Sequence, residues 1–257
     1  MIFTDQTGKK IELSNKPGKI ISLVPSQSEF LWDIGLQNEL AGITKFCIHP
    51  REMFQSVTRV GGTKKLHLEK IHSIHPGLII GNKEENEKEQ IEQLQKEYKV
   101  WMSDIFTLED AFDMMKQLGE ITQREEQANT IAEKIRNNFS LLPHAEFGSA
   151  LYLIWKNPYM AAGKNTFIDE MMARCGFLNV LKEKRYPEIS EEYISELKPE
   201  FILLSSEPYP FAEKHISGLQ KISPASKIIV VDGEMFSWYG SRLLYAADYF
   251  ISLRKQL

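Results

Sequence analysis

The sequence predicts an α/β protein: two lobes with mostly parallel sheets, joined by one long backbone helix. Three observations carry this. The segment Leu68-Glu69-Lys70-Ile71-His72-Ser73-Ile74-His75-Pro76-Gly77-Leu78-Ile79-Ile80 has a partner running from Ile189 to Leu204. Each copy reads as a short helix with a Glu near its start, a Pro stop and an apolar strand, so the chain holds two units of similar build. Short apolar runs alternate with helical stretches, as expected where parallel strands are buried on both faces. Between the copies, residues 123–142 contain neither Gly nor Pro. Two similar lobes imply a cleft between them, where a ligand would sit.

Residues 1–18 read as a hairpin-like lead-in turning at Thr7-Gly8-Lys9-Lys10. Lys19-Ile20-Ile21-Ser22-Leu23-Val24 is a buried strand, and Ser26 or Ser28 is expected to cap the next helix, which stops at Gly35. Leu40–Thr44 is the next strand. Helix 69–75, strand 77–81, helix 86–98 and strand 99–102 continue the alternation. Thr107 caps a helix over 107–119. With Thr122 as cap, a long helix runs from about Gln123 to Leu142, its apolar stripe made by Ala128, Ile131, Ile135, Phe139 and Leu142. Twenty residues span about 30 Å, so this helix acts as a spine that permits only small closures. The second lobe continues with a strand over Ser149–Trp155, helices at 166–175 and 190–197, a strand at 200–204, a helix near 212–221, the strand Lys227–Val231 and a last helix over 240–255. The expected division is 1–121, 122–143 and 144–257, each lobe Rossmann-like.

Composition narrows the function. The chain has 257 residues, 42% of them apolar, and a net charge of -4, so it is globular. No basic block or basic-aromatic stripe appears, which argues against a nucleic-acid partner. Cys47 and Cys175 fall one in each half and are expected to be free thiols. The N-terminus lacks the apolar region of a secretory signal, and no stretch is apolar enough to span a membrane. As given, the chain reads as soluble and unexported, unless it is a processed form.

Ligands of parallel sheets meet the loops at the carboxyl ends of the strands. Those loops are rich in aromatics: Phe46 in the first lobe, then Trp155, Tyr159, Tyr209, Phe211, Phe236, Trp238 and Tyr239. Such walls suit a sizeable organic ligand. His49 lies in a cleft-facing loop and is a candidate for a single ligand contact. His67, His72 and His75 cluster near one helix, but no acid or Cys pattern completes a metal set. Cys47 and His49 lack an orienting acid, and Gly61-Gly62-Thr63-Lys64-Lys65 lacks phosphate-loop spacing. Neither a catalytic group nor a catalytic cofactor is expected; the chain reads as a binder, not an enzyme. Glu69 and Glu192 hold equivalent places in the repeated unit. They are either acids favoured by the helix dipole or a symmetric pair of docking charges for a two-fold partner.

The segment Lys19–Glu29 resembles the opening of the helical-backbone binding proteins of ABC importers, which carry cobalamin, haem or ferric siderophores. Further matches are Leu40-Ala41-Gly42-Ile43-Thr44, Leu68–Ile71 with Pro76–Ile79, Asn157-Pro158 with Ala162-Gly163-Lys164, and Cys175-Gly176 with Asn179. The resemblance covers nearly the whole chain in order and is closest to the cobalamin-binding branch. It implies two lobes on one long helix, one docking Glu per lobe (Glu69 and Glu192) for an inner-membrane permease, a monomer, and a periplasmic location. It also implies ligand contacts at Phe46 and His49, and at Met160, Glu234, Phe236 and the neighbouring loop through Arg242. Thr63 stands where the cobalamin binder has a Trp, and Met160 replaces an aromatic; Trp155 and Trp238 are placed to compensate, beside Tyr159 and Tyr239. The expected ligand is a metal chelate: a corrinoid, a ferric siderophore or haem. The alternative is a cytoplasmic tetrapyrrole or chelate binder with no transport partner.

Overall fold

The computed structural model describes residues 1–257. Its contacts divide the chain into two units. Unit 1 holds Met1–Ile105, Glu109–Ile135 and Tyr239–Arg242; unit 2 holds Phe106–Leu108, Arg136–Trp238 and Leu243–Leu257.

Unit 1 opens with an antiparallel pair, β1 (Ile2–Thr4) and β2 (Lys10–Glu12). Then come β3 (Ile20–Ser22), α1 (Pro25–Asp33), β4 (Leu40–Ile43), α2 (Arg51–Ser56), β5 (Thr58–Arg59), α3 (Leu68–Ile74), β6 (Leu78–Asn82), α4 (Lys88–Leu94) and β7 (Val100–Ser103). The main sheet has the order β5-β4-β3-β6-β7 and every pairing is parallel. The chain therefore leaves β3 first to one side and later to the other, which makes the β3/β6 boundary a topological switch point. Close packing on this sheet needs Gly42, where a Cβ would stand 2.9 Å from Ile21 Cγ1. The serines expected to cap α1 do not cap it. Val24 is the cap residue and Pro25 the first helical residue, while Ser28 Oγ donates to the Val24 carbonyl at 2.8 Å. Proline at this place needs no N–H partner, which makes a side-chain cap dispensable.

Two helices come next, α5 (Leu108–Thr122) and α6 (Glu125–Ser140). Thr122 ends α5 and does not cap α6: its hydroxyl donates to the Leu118 carbonyl at 2.6 Å. Gln123 then takes a left-handed φ of 57°, which breaks the ladder and starts α6 two residues later than the periodicity suggests. The partition of contacts changes from unit 1 to unit 2 between Ile135 and Arg136, inside α6.

Unit 2 contains β8 (Gly148–Trp155), β9 (Tyr159–Ala161), α7 (Phe167–Arg174), β10 (Phe177–Asn179), β11 (Glu188–Ile189), α8 (Glu191–Leu197), β12 (Phe201–Ser205), α9 (Ile216–Ile222), β13 (Lys227–Val231), α10 (Glu234–Ser237) and α11 (Leu243–Gln256). Its sheet runs β11-β9-β8-β12-β13, with β10 beside the first residues of β8. The strands β8, β10, β12 and β13 are parallel, and β9 folds back antiparallel on β8. The strands β5, β9, β10 and β11 have two or three residues each, too short for alternation to reveal them. No helix is long and apolar enough to cross a membrane.

The repeated unit is real in three dimensions. Helices α3 and α8 each have seven residues, and each ends in a left-handed residue, His75 (φ 53°) or Lys198 (φ 45°). Pro76 and Pro199 come next, then the five-residue strands β6 and β12. A proline there cannot extend the helix. Ile71 and Ile194 occupy matching positions and have no exposed surface. Replacing either with Ala is expected to cost about 2–5 kcal/mol in urea unfolding; a cost below about 1 kcal/mol would show that the matched positions are not core anchors.

Candidate ligand-binding site

In unit 1 the loops after β4 and β5 meet. Phe46 is 48% exposed. The Lys45 ammonium stands 5.0 Å from its ring centre, and a Cβ on Gly62 would lie 3.1 Å from the ring, so the glycine lets the second loop approach the aromatic face. His49 is half-buried. Cys47 between them is buried, its Sγ 3.2 Å from the hydroxyls of both Ser28 and Thr44. Burial pushes its thiol pKa up, so the pair Cys47/His49 holds a neutral thiol unsuited to attack.

Residues Tyr239–Arg242 pack in unit 1 against α1 and the loop after β6. Gly240 lies so close to α1 that a Cβ would stand 2.2 Å from the Ser26 carbonyl oxygen. Arg242 donates to both carboxylate oxygens of Glu29, at 3.1 Å from Nε and 2.6 Å from Nη2. Ser241 donates to Asp33, one turn further along α1, and Tyr239 donates to Glu85 at 2.8 Å. Burial raises the Glu29 pKa above its ordinary value, with Arg242 opposing the rise. Burial likewise raises Asp33, opposed by Ser241, and lifts the Tyr239 phenol well above its usual range, helped by the nearby Glu85 charge.

In unit 2, Trp155 ends β8 and is 41% exposed. Its ring meets Tyr209 edge to face at 5.6 Å, and Tyr209 in turn packs on Phe211 and His215. Tyr159 is buried, with the Lys156 ammonium 6.0 Å from its ring centre. Met160 is half-buried and pairs with Glu188 of β11. Glu234 opens α10 and is half-buried. Phe236 has no exposed surface; its ring lies 5.2 Å from Tyr152 and 4.8 Å from Phe250. Trp238 is 6% exposed, and its Nε1 donates to Glu207 at 2.9 Å, on the oxygen that also accepts from Ser237 at 2.8 Å.

The expected contacts thus fall into two sets. Phe46, His49, Trp155, Met160, Glu234 and Arg242 keep exposed surface, whereas Tyr159, Phe236, Trp238 and Tyr239 are buried. Sequence reasoning missed the acids involved: Glu207, which holds Ser237 and Trp238 in unit 2, and Glu29, Asp33 and Glu85, which hold Arg242, Ser241 and Tyr239 in unit 1. Burial raises the Glu207 pKa, with Ser237 opposing. The repeat held a signal for Glu207: its N–H donates to Ser205 at the end of β12, as Glu84 N–H donates to Asn82 at the end of β6.

Glu69 and Glu192 are each the second residue of their helices and both are exposed. The Glu192 carboxyl sits below its ordinary pKa because its own backbone N–H and Ser190 hydrogen-bond to it.

Removing the guanidinium partner in Arg242→Met leaves Glu29 buried and unpaired, and the expected destabilisation is about 3–5 kcal/mol at neutral pH. With Arg242 gone, the Glu29 pKa rises further above its unfolded value near 4.5. The folded state then binds a proton that the unfolded state releases, so stability is lost as pH rises through that window and recovered as pH falls toward 4.5. Urea unfolding of the variant against the parent at pH 7.5 and pH 5 measures this; a defect equal at both pH values would contradict it.

A family model described as "Periplasmic binding protein" matches residues 20–222. A vitamin B12-binding protein of Pectobacterium carotovorum is 24% identical over 241 residues, covering 90% of this chain and 86% of that protein. The solved structure of the periplasmic vitamin B12-binding protein BtuF of Vibrio cholerae is similar with a TM-score of 0.76 at 20% identity, covering 94% of this chain and 98% of that one. The apo structure of the periplasmic haem-binding protein RhuT of Roseiflexus sp. RS-1 has a TM-score of 0.78 at 19% identity, covering 92% of this chain and 98% of that one.

Proposed function

The chain belongs to the periplasmic binding protein family, and from that premise we propose that it is the substrate-binding component of an ABC-type importer. Its cargo is a metal chelate: a corrinoid, haem or a ferric siderophore. The observation that carries this reading is the family match over residues 20–222, which includes both copies of the repeated unit. Curated relatives named for vitamin B12 binding and solved structures of haem binders support the ligand class. The chemistry of the strand-end loops agrees. Phe46 and Trp155 expose large aromatic faces, which stack on flat ligands at low entropic cost. His49 in unit 1, and Met160 and Glu234 in unit 2, keep part of their surface exposed. The protein holds its cargo without chemical change and works outside the cytoplasmic membrane, as a monomer that meets a permease. Glu69 and Glu192 are the docking charges, one on each unit, exposed at matching helix starts. A cytoplasmic chelate binder would use the same loops but would leave this matched pair without a task.

Titration of the protein with cyanocobalamin, haemin and a ferric siderophore is expected to quench tryptophan fluorescence at micromolar affinity or better for one of the three. In Trp155→Ala that ligand is expected to bind about tenfold more weakly or worse, a loss of about 1.4 kcal/mol; silence from all three would remove the chelate assignment. The double variant Glu69→Arg/Glu192→Arg is expected to bind the ligand as the parent does and to fail in permease-dependent uptake into vesicles. Uptake at the parental rate would refute the docking role.

A further inference from the structure

The segment Gly61-Gly62-Thr63-Lys64-Lys65 lacks the spacing of a phosphate loop, and in unit 1 it forms a short finger closed on itself. Gly61 and Leu66 pair as an isolated antiparallel bridge, and Gly62 N–H donates to the Lys65 carbonyl at 2.8 Å. The closure needs glycine at 61, where φ is 119° and a Cβ would stand 2.5 Å from the Lys65 carbonyl oxygen. One side of the finger faces the loop after β4. Lys45 N–H donates to the Gly61 carbonyl at 2.8 Å, and a Cβ on Gly62 would lie 3.1 Å from the Phe46 ring.

The other side is held by two amide side chains, Asn86 and Gln90, around the start of α4. Asn86 is buried. Its Oδ1 accepts from Asn82 N–H, at the end of β6, at 2.9 Å. Its Nδ2 donates to the Leu23 carbonyl, just after β3, at 3.3 Å and to the Thr63 carbonyl at 3.1 Å. One N–H and two carbonyls fix which way the amide points. Asn86 therefore spans the switch point between β3 and β6 and reaches the finger as well. A Cβ on Gly81 would stand 2.7 Å from that Oδ1, so the glycine in β6 makes room for the amide. Gln90 is half-buried. Its Oε1 accepts from Leu66 N–H at 2.8 Å and its Nε2 donates to the Lys64 carbonyl at 3.1 Å. The finger cannot draw back from Phe46 without breaking these bonds.

We infer that Asn86 and Gln90 are positioning residues for ligand binding: they clamp the finger against Phe46 and so hold its half-exposed ring in one place. This rests on the importer reading, with Phe46 as a ligand contact. Neither amide is asked to touch the ligand. An aromatic face ordered before the ligand arrives has less freedom to lose on binding.

The test titrates the full chain with haemin, cyanocobalamin and ferrichrome by calorimetry and continues with the probe the parent binds most tightly. Thermal melts verify folding of each variant. Gln90→Ala removes two finger bonds at a half-buried position and is expected to weaken binding about fivefold. Gln90→Glu keeps the acceptor for Leu66 N–H and is expected to lose less. Asn86→Ala is expected to weaken binding about tenfold; should it fail to fold, the Gln90 variants carry the test. A double-mutant cycle separates positioning from general loosening. With Phe46→Ala already present, Gln90→Ala is expected to cost no further affinity; with Trp155→Ala present, it is expected to cost the same as in the parent. Parental affinity in Gln90→Ala or in Phe46→Ala, or an equal loss with and without the Phe46 ring, would overturn the clamp and leave the importer reading intact. No binding of any probe by the parent would remove the chelate assignment and the clamp together.

Discussion

Parallel strands buried on both faces leave polar side chains nowhere to go but the strand ends, and β6 and β12 both obey this constraint. All five residues of β6 are buried, as are the last four of β12. Each strand ends in a polar residue, Asn82 or Ser205, whose side chain accepts from the backbone two residues on. Those acceptors turn the chain and set the loops where ligands of such sheets are met. The same burial fixes the helices that feed the strands, through Ile71 and Ile194, and so sets where Glu69 and Glu192 emerge. Core packing and the proposed docking charges are thus consequences of one constraint.

Acidic side chains do the remaining positioning. In unit 2, Glu207 gathers Ser237 and Trp238 on one carboxylate oxygen. In unit 1, Glu29 takes both guanidinium contacts of Arg242, and Asp33 takes Ser241. Glu29 is buried, and a desolvated carboxylate is costly unless paired, so it strongly specifies Arg242. Ser237 and Trp238 are thus held within unit 2, and Tyr239, Ser241 and Arg242 within unit 1. The aromatic groups among them, Trp238 and Tyr239, are fixed by hydrogen bonds to Glu207 and Glu85.

The rims differ from these anchors in kind. Phe46 and Trp155 keep about half their surface exposed and are supported by neighbours: Gly62 and Lys45 for one, Tyr209 for the other. The local chemistry therefore separates residues that fix loops from residues with surface to offer a ligand, although both sets come from the same aromatic-rich segments.

The sequence by itself determined the α/β class, the repeated helix-Pro-strand unit, the main parallel strands and the matched positions of Glu69 and Glu192. These rest on local signals: apolar runs, helical periodicity and proline stops, which act within a few residues. It also pointed to the loops that carry Phe46, His49 and Trp155, since strand ends follow from strands. It could not show the short strands β9, β10 and β11, which exist only because β8 offers edges to β9 and β10, and β9 in turn to β11. Nor could it separate buried Phe236 and Tyr239 from exposed Trp155, because burial depends on what packs from elsewhere in the chain. Tertiary structure alone decided that Arg242 meets Glu29 and that Asn86 meets Leu23. Those pairs lie far apart in sequence, and no local rule of propensity or spacing reaches across such distances; only the folded sheets and their crossovers bring the partners within bonding range.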